Sequence, residues 1–313
     1  MATASTPQAG RRRDWLRIFV SGLVLWLLTV LITFLTGNPN LVPTLVLLGS
    51  FLVPVTFVAW AFERRDTGEI TASLVLNTFI TGGVLGVLAA SLLETYLLHP
   101  SPWLFLGVGL IEEGVKLGAL AWLTRHLVIK SVRDGMILGA SVGFGFAAFE
   151  SAGYAFTALF TERGLSLIDV VQTEVLRGLL TPVGHGLWTA ILGGVLFSPS
   201  TREHFLLSGR LMLAYVGVSI LHALWDSMHA ISVVLTLLFT GTPAQYHLLV
   251  RGYIAQPTDI QLQLITMLDW LGLAVVALIG ISWLVAEWRR APRRRPPTTA
   301  WRVPTARYPV SGS

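Results

Sequence analysis

The chain has 313 residues, of which 53% are hydrophobic and only 12% charged, and its mean hydropathy is +0.68. A soluble domain of this length carries roughly a quarter charged residues, so the composition excludes that class and points to a polytopic membrane protein. With no cysteine, disulfides, thiolate metal sites and a cysteine nucleophile are excluded. The net charge of +5 does not indicate nucleic acid, because the basic residues cluster at the two ends and in short loops.

Apolar stretches near twenty residues long predict eight spans in chain order: Leu16–Thr36, Leu41–Phe62, Val75–Leu98, Trp103–Thr124, Met136–Phe160, Val175–Phe197, Leu211–Val233 and Leu264–Trp288. The first follows Arg11, Arg12 and Arg13 but is too long for a signal-peptide core, so it reads as an uncleaved anchor. Counting Lys and Arg in alternate loops puts eighteen inside and three outside (Arg163, Arg177 and Arg251), which predicts both termini cytoplasmic. The expected fold is therefore all-α, a polytopic transmembrane bundle of about eight spans. Its organisation reads as a basic N-terminus at 1–14, three accessory helices over 15–100 and a core over 101–239. An outer loop and last span over 240–288 and a disordered basic tail at 289–313, lying near anionic headgroups, complete it. The outer loop is expected to carry a short interfacial element.

Four successive spans hold ionisable residues at membrane depth: Glu112, Glu113 and Lys116 on the fourth, Glu150 on the fifth, His185 on the sixth, His222 and Asp226 on the seventh. Each charge at a helix centre costs on the order of 2.5–3.5 kcal/mol, so these faces are expected to turn inward around one polar interior. The spacings agree. Glu112, Glu113 and Lys116 share one arc of helix, and His222, Asp226 and His229 stand at i, i+4 and i+7. Gly139, Gly143 and Gly145 offer a small-residue face for tight packing, and Gly184 and Gly186 leave room beside His185. His229, Glu94 and Asp269 lie nearer span ends and read as structural.

Such an inventory suits water activation. One glutamate can take a proton from the water that attacks a peptide carbonyl and return it to the leaving amine. The imidazoles can hold Zn²⁺ or donate hydrogen bonds to the oxyanion, and Lys116 supplies the opposite charge beside the glutamates. No HExxH or GxGD occurs; "GASVG" matches GxSxG around Ser141, a weak pattern in a Gly-rich helix. Two rival readings remain at this stage: a transporter or proton-relay protein, and a non-catalytic membrane scaffold.

"EEGVK" (Glu112, Glu113, Lys116) resembles the EExxK motif of the PrsW family of intramembrane proteases, within the larger group of CAAX prenyl proteases and bacteriocin-processing enzymes. "FAAFE" (Phe146 to Glu150) is similar to its FxxxE element, while "HGLW" from His185 and "HALWD" (His222 to Asp226) resemble its later His motifs. The resemblance covers about residues 103 to 230, in order on successive helices. It implies hydrolysis of a peptide bond in a membrane-anchored protein, such as an anti-sigma factor, by a multi-pass protein of a bacterial membrane. It also implies Glu112, Glu113, Lys116 and Asp226 as the catalytic set, with Glu150, His185 and His222 as metal ligands or, without Zn²⁺, as oxyanion donors or orienting groups. With the fourth span entering from outside, Glu112 is expected about 14 Å below the outer surface at helical rise. The site is then expected on the extracytoplasmic side of the midplane, opening to water through a cleft.

Overall fold

A computed structural model of the chain describes residues 13–291 apart from 163, 201–203, 254 and 255. The basic N-terminus up to residue 12 and the tail from 292 onward therefore lie outside the described residues. In chain order the helices are α1 (Asp14–Thr36), α2 (Val42–Phe62), α3 (Ala72–Leu97), α4 (Leu104–Thr124), α5 (Val132–Ala158), α6 (Leu167–Leu180), α7 (His185–Phe197), α8 (Gly209–Thr240), α9 (Pro243–Val250) and α10 (Asp259–Arg290). A two-residue β-hairpin, Phe160–Thr161 with Gly164–Leu165, joins α5 to α6. The architecture is an all-α polytopic bundle.

Side-chain caps fix several helix starts by satisfying N–H groups that have no partner within the helix. Thr71 accepts from Leu74 N before α3, Ser208 from Leu211 N before α8, and Thr258 forms a capping box with Gln261 before α10. At the other end of α1, Gly37 adopts φ 61°, a left-handed stop that a glycine takes without strain.

Seven segments are long and apolar enough to cross a membrane: α1, α2 with its preceding 3₁₀ turn, α3, α5, the α6–α7 pair, α8 and α10. The fourth expected span, α4, has the length at 21 residues, but Glu112, Glu113 and Lys116 deny it the composition. It nevertheless packs inside the bundle, against α3, α5, α7 and α8. The expected sixth span is two helices. A 3₁₀ turn over Thr181–Val183, followed by Gly184, breaks it, since Pro182 cannot donate to an α-helical ladder. The seventh runs unbroken to Thr240, and the short helix α9 follows it in the segment before α10.

The core centres on α5. Of its candidate span 83% is buried, against 6% for α1, which rests on α2 at the periphery. Glycines let α5 meet its neighbours at backbone distance. A Cβ at Gly135 would stand 2.5 Å from Gly193 O, and one at Gly143 would stand 2.8 Å from the His185 carbonyl carbon. Gly135, Gly139 and Gly143, spaced by four, thus form one line against α7. Gly145 does not belong to that face: two residues on is about 200° round a helix, and it packs on the Phe79 backbone of α3.

Candidate active site

The glycine line sets where α7 begins. Gly143 lies under the His185 carbonyl, so the imidazole at the first residue of α7 enters the bundle one helical turn from Phe146 and close to Glu150. On the opposite wall, Gly109 lets α4 approach α8 until a Cβ there would be 2.5 Å from Ser219 O. Tyr215 adds a hydrogen bond to Leu110 O at 2.6 Å. One turn further along each helix, Glu112 and Glu113 face His222.

The polar side chains of these four walls meet. Lys116 Nζ lies 2.6 Å from Glu113 Oε1 and 3.2 Å from Glu112 Oε2, with no exposed surface, and rests 4.2 Å from the centre of the Phe146 ring. The same ammonium is 2.8 Å from His185 Nδ1. An ammonium only donates, so Nδ1 carries the lone pair and the proton sits on Nε2, 3.1 Å from Glu150 Oε2. His222 is flanked on both nitrogens: Nδ1 is 3.0 Å from Glu113 Oε1, and Nε2 is 3.2 Å from Asp226 Oδ2. Trp188, fully buried, closes the apolar side at 4.7 Å from the His222 ring and 5.4 Å from that of His185.

Exposure separates the carboxylates. The Glu113 side chain is 0% exposed and engaged by Lys116, His222 and, at 3.4 Å, Thr189 Oγ1. Glu112 is 8% exposed, Glu150 22% and Asp226 28%, so these three lie progressively nearer the surface of the bundle. Glu112 and Glu150 each stand eight residues from the neighbouring ends of α4 and α5, about 12 Å at helical rise.

Among the described residues, Glu112, His185 and His222 offer ligand atoms that all lie within 4.8 Å of one another. Glu112 Oε2 is 3.7 Å from both His185 Nδ1 and His222 Nε2. The edge of a tetrahedron with zinc bonds of 2.0–2.1 Å is about 3.3–3.4 Å, and one carboxylate with two imidazoles is a donor set that catalytic zinc takes. The residues therefore fit such an ion. Glu150 stands outside that group, on the far nitrogen of His185.

All seven residues singled out in the sequence thus share one cluster. Two participants were missed. Arg177 of α6 pairs with Glu150; it is the third residue of the expected sixth span, and an arginine inside an apolar stretch is itself a signal. Thr189 reaches Glu113 and carried no signal beyond standing one turn after His185. Ser141 is elsewhere: fully buried, it donates to Val75 O at 2.8 Å. His229 pairs with Asp269 at 2.9 Å between α8 and α10, in keeping with a structural reading. Glu94 lies within electrostatic reach of Glu112, Glu150, His222 and Asp226, closer to the site than expected for a residue near a span end.

Residues 71–251 match the family model described as "PrsW family intramembrane metalloprotease". The match begins at the α3 N-cap, so it takes in a helix expected to be accessory. Among curated proteins, the chain is 26% identical to Protease PrsW of Halalkalibacterium halodurans, over 56% of this chain and 78% of that protein. It is 27% identical to Protease PrsW of Shouchella clausii, over 49% of this chain and 71% of that protein. No solved structure matches. With ordered motifs, a multi-pass bundle and a match over more than half its length, the chain belongs to the PrsW family of intramembrane metalloproteases and is a membrane-embedded protease of a bacterial membrane.

Proposed function

We propose that this protease cuts a peptide bond of a membrane-anchored protein, an anti-sigma factor being the candidate class, with Glu112 as the water-side carboxylate. The observation that carries the reading is the approach of Glu112 Oε2 to 3.7 Å from both imidazoles. Glu112, His185 and His222 would hold Zn²⁺, which when bound supplies Lewis-acid polarisation of the scissile carbonyl and an acidified water. The contacts of Glu112 run through Oε2, leaving its second oxygen to take the proton of the attacking water and return it to the leaving amine. Glu113, fully buried, holds His222 from behind and anchors Lys116, whose charge offsets the adjacent carboxylates. Asp226 faces the same His222 nitrogen that would take the ion, so a bound metal would displace that contact and leave the carboxylate beside it, while Glu150 orients His185 by accepting from Nε2.

Residues 101–239 supply every side chain named in the site, with 15–100 and 240–288 flanking them. Both termini are cytoplasmic, so the site opens on the extracytoplasmic half of the bilayer. The test is metal analysis of the purified chain together with membrane proteomes of cells carrying wild type, Glu112→Gln or Glu113→Gln. The expected result is one zinc per chain, inactivation by chelators, and an anchored protein that stays uncut in the Glu112→Gln cells. Unchanged processing in both variants would refute the assignment of the site.

A further inference from the structure

We infer that Arg177 is a positioning residue that sets the orientation of His185 through Glu150; in its metal-binding consequence the inference rests on the reading above. Arg177 lies on α6, which packs on α2 and α5 rather than on the α4 and α8 walls of the site. Its guanidinium is held from three sides by α5. Nη2 donates to Glu150 Oε2, Nε donates to Ser151 Oγ at 2.7 Å, and the guanidinium carbon lies 4.3 Å from the centre of the Tyr154 ring.

The oxygen that Arg177 grips is the one that accepts from His185. Glu150 Oε2 receives the Arg177 guanidinium on one side and His185 Nε2, at 3.1 Å, on the other. Arg177 and His185 stand on opposite sides of the Thr181–Gly184 break, so the carboxylate is a staple between the two halves of a broken span. The consequence is chemical. A carboxylate fixed at that point holds the Nε2–H and with it the plane of the ring, so that Nδ1, which accepts from Lys116 at 2.8 Å, also stands 3.7 Å from Glu112 Oε2, where a cation would be bound. Without the guanidinium, Glu150, already 22% exposed, is free to turn away, and His185 keeps only the Lys116 contact at Nδ1 to orient it.

The full-length chain in nanodiscs tests this with two readouts. Zinc affinity is measured by chelator competition, and the Nε2–H hydrogen bond by ¹⁵N-histidine spectra of the metal-free protein, with His185 assigned from its loss in His185→Gln. Arg177→Gln is expected to weaken zinc binding about 10–100-fold, the range for lost outer-shell partners, and to shift the His185 Nε2 resonance. Arg177→Lys, which keeps a cation beside Glu150, should recover most of both. Arg177→Gln/Glu150→Gln should be no weaker than Glu150→Gln alone, because the arginine acts only through that carboxylate. Wild-type affinity with an unchanged His185 spectrum in Arg177→Gln, or additive losses in the double variant, would overturn the inference. A wild-type chain that takes up no zinc would overturn the metal reading instead. The spectra then decide the positioning role alone, an unchanged Arg177→Gln spectrum being the result against it.

Discussion

Gly143→Ala tests whether backbone contact between α5 and α7 places His185. The new Cβ would stand 2.8 Å from both the His185 carbonyl carbon and Thr189 Oγ1, and nearer still to the carbonyl oxygen. The carbon alone must retreat 0.6 Å to reach the 3.4 Å of ordinary contact, and the oxygen further. A shift of that size takes His185 Nε2 from 3.1 Å to beyond hydrogen-bonding range of Glu150 and carries Thr189 away from Glu113. A misplacement of roughly 1 Å costs about 100-fold in rate, and overpacking costs about 1–3 kcal/mol. Gly153→Ala is the matched control: it lies on the same helix with nothing within 4 Å of the added methyl. There the exchange is neutral or stabilising by up to about 1 kcal/mol, from helix propensity alone. The assay is cleavage of an anchored reporter in proteoliposomes alongside thermal melting. Cleavage by Gly143→Ala within twofold of Gly153→Ala would refute the idea that this glycine sets the site.

The two glutamates should separate. Glu112→Gln removes the proposed base and one proposed zinc donor together, so it is expected to lose at least about 10²–10⁴-fold in turnover, the worth of a general base alone, with weakened zinc uptake and little change in the melting of the metal-free chain. Glu113→Gln should also destabilise the fold, by about 3–5 kcal/mol, because it breaks a fully buried pair with Lys116. Equal melting of the two variants would contradict that division. Ser141→Ala removes one buried hydrogen bond to Val75 O, about 0.5–1.5 kcal/mol, and should leave cleavage intact; abolished cleavage in a folded Ser141→Ala would restore the serine mechanism. The absence of native cysteines permits single-cysteine mapping. A membrane-impermeant thiol reagent should label Ser101→Cys from outside intact cells and not Arg64→Cys, and the reverse pattern would invert the topology.

What could be read from the sequence was what lipid makes expensive. Glu112, Glu113 and Lys116, Glu150, His185, and His222 with Asp226 stood out because ionisable groups at membrane depth must face inward, and helical spacing put each set on one face. Pairings across helices were not legible. Nothing in the spacing says that Lys116 reaches His185 Nδ1 or that Glu112 approaches both imidazoles, because these depend on how closely α4, α5, α7 and α8 approach at Gly109 and Gly143. The break in the sixth span had a signal that hydropathy overrode: Pro182 and Gly184 inside an apolar run. Gly145 was misplaced because a pattern of small residues reads as one face unless helical phase is counted.

Helix α4 shows why a hydropathy reading and the fold part company at the place where chemistry is done. Its three charges disqualify it as a span by composition, yet their side chains are among the most buried in the protein. In lipid they would be untenable singly; in the bundle each has a counter-charge or an imidazole within 3.2 Å. At ordinary charges, the carboxylates of Glu112, Glu113, Glu150 and Asp226 outnumber the cations Lys116 and Arg177 by two. With a carboxylate on each of its nitrogens, His222 offsets one of these charges while it holds both protons, and a divalent cation displacing the Nε2 proton would take over that role between Trp188 and Phe146. The residues that make α4 a poor membrane helix are thus the ones whose acidity would draw a cation into the cluster.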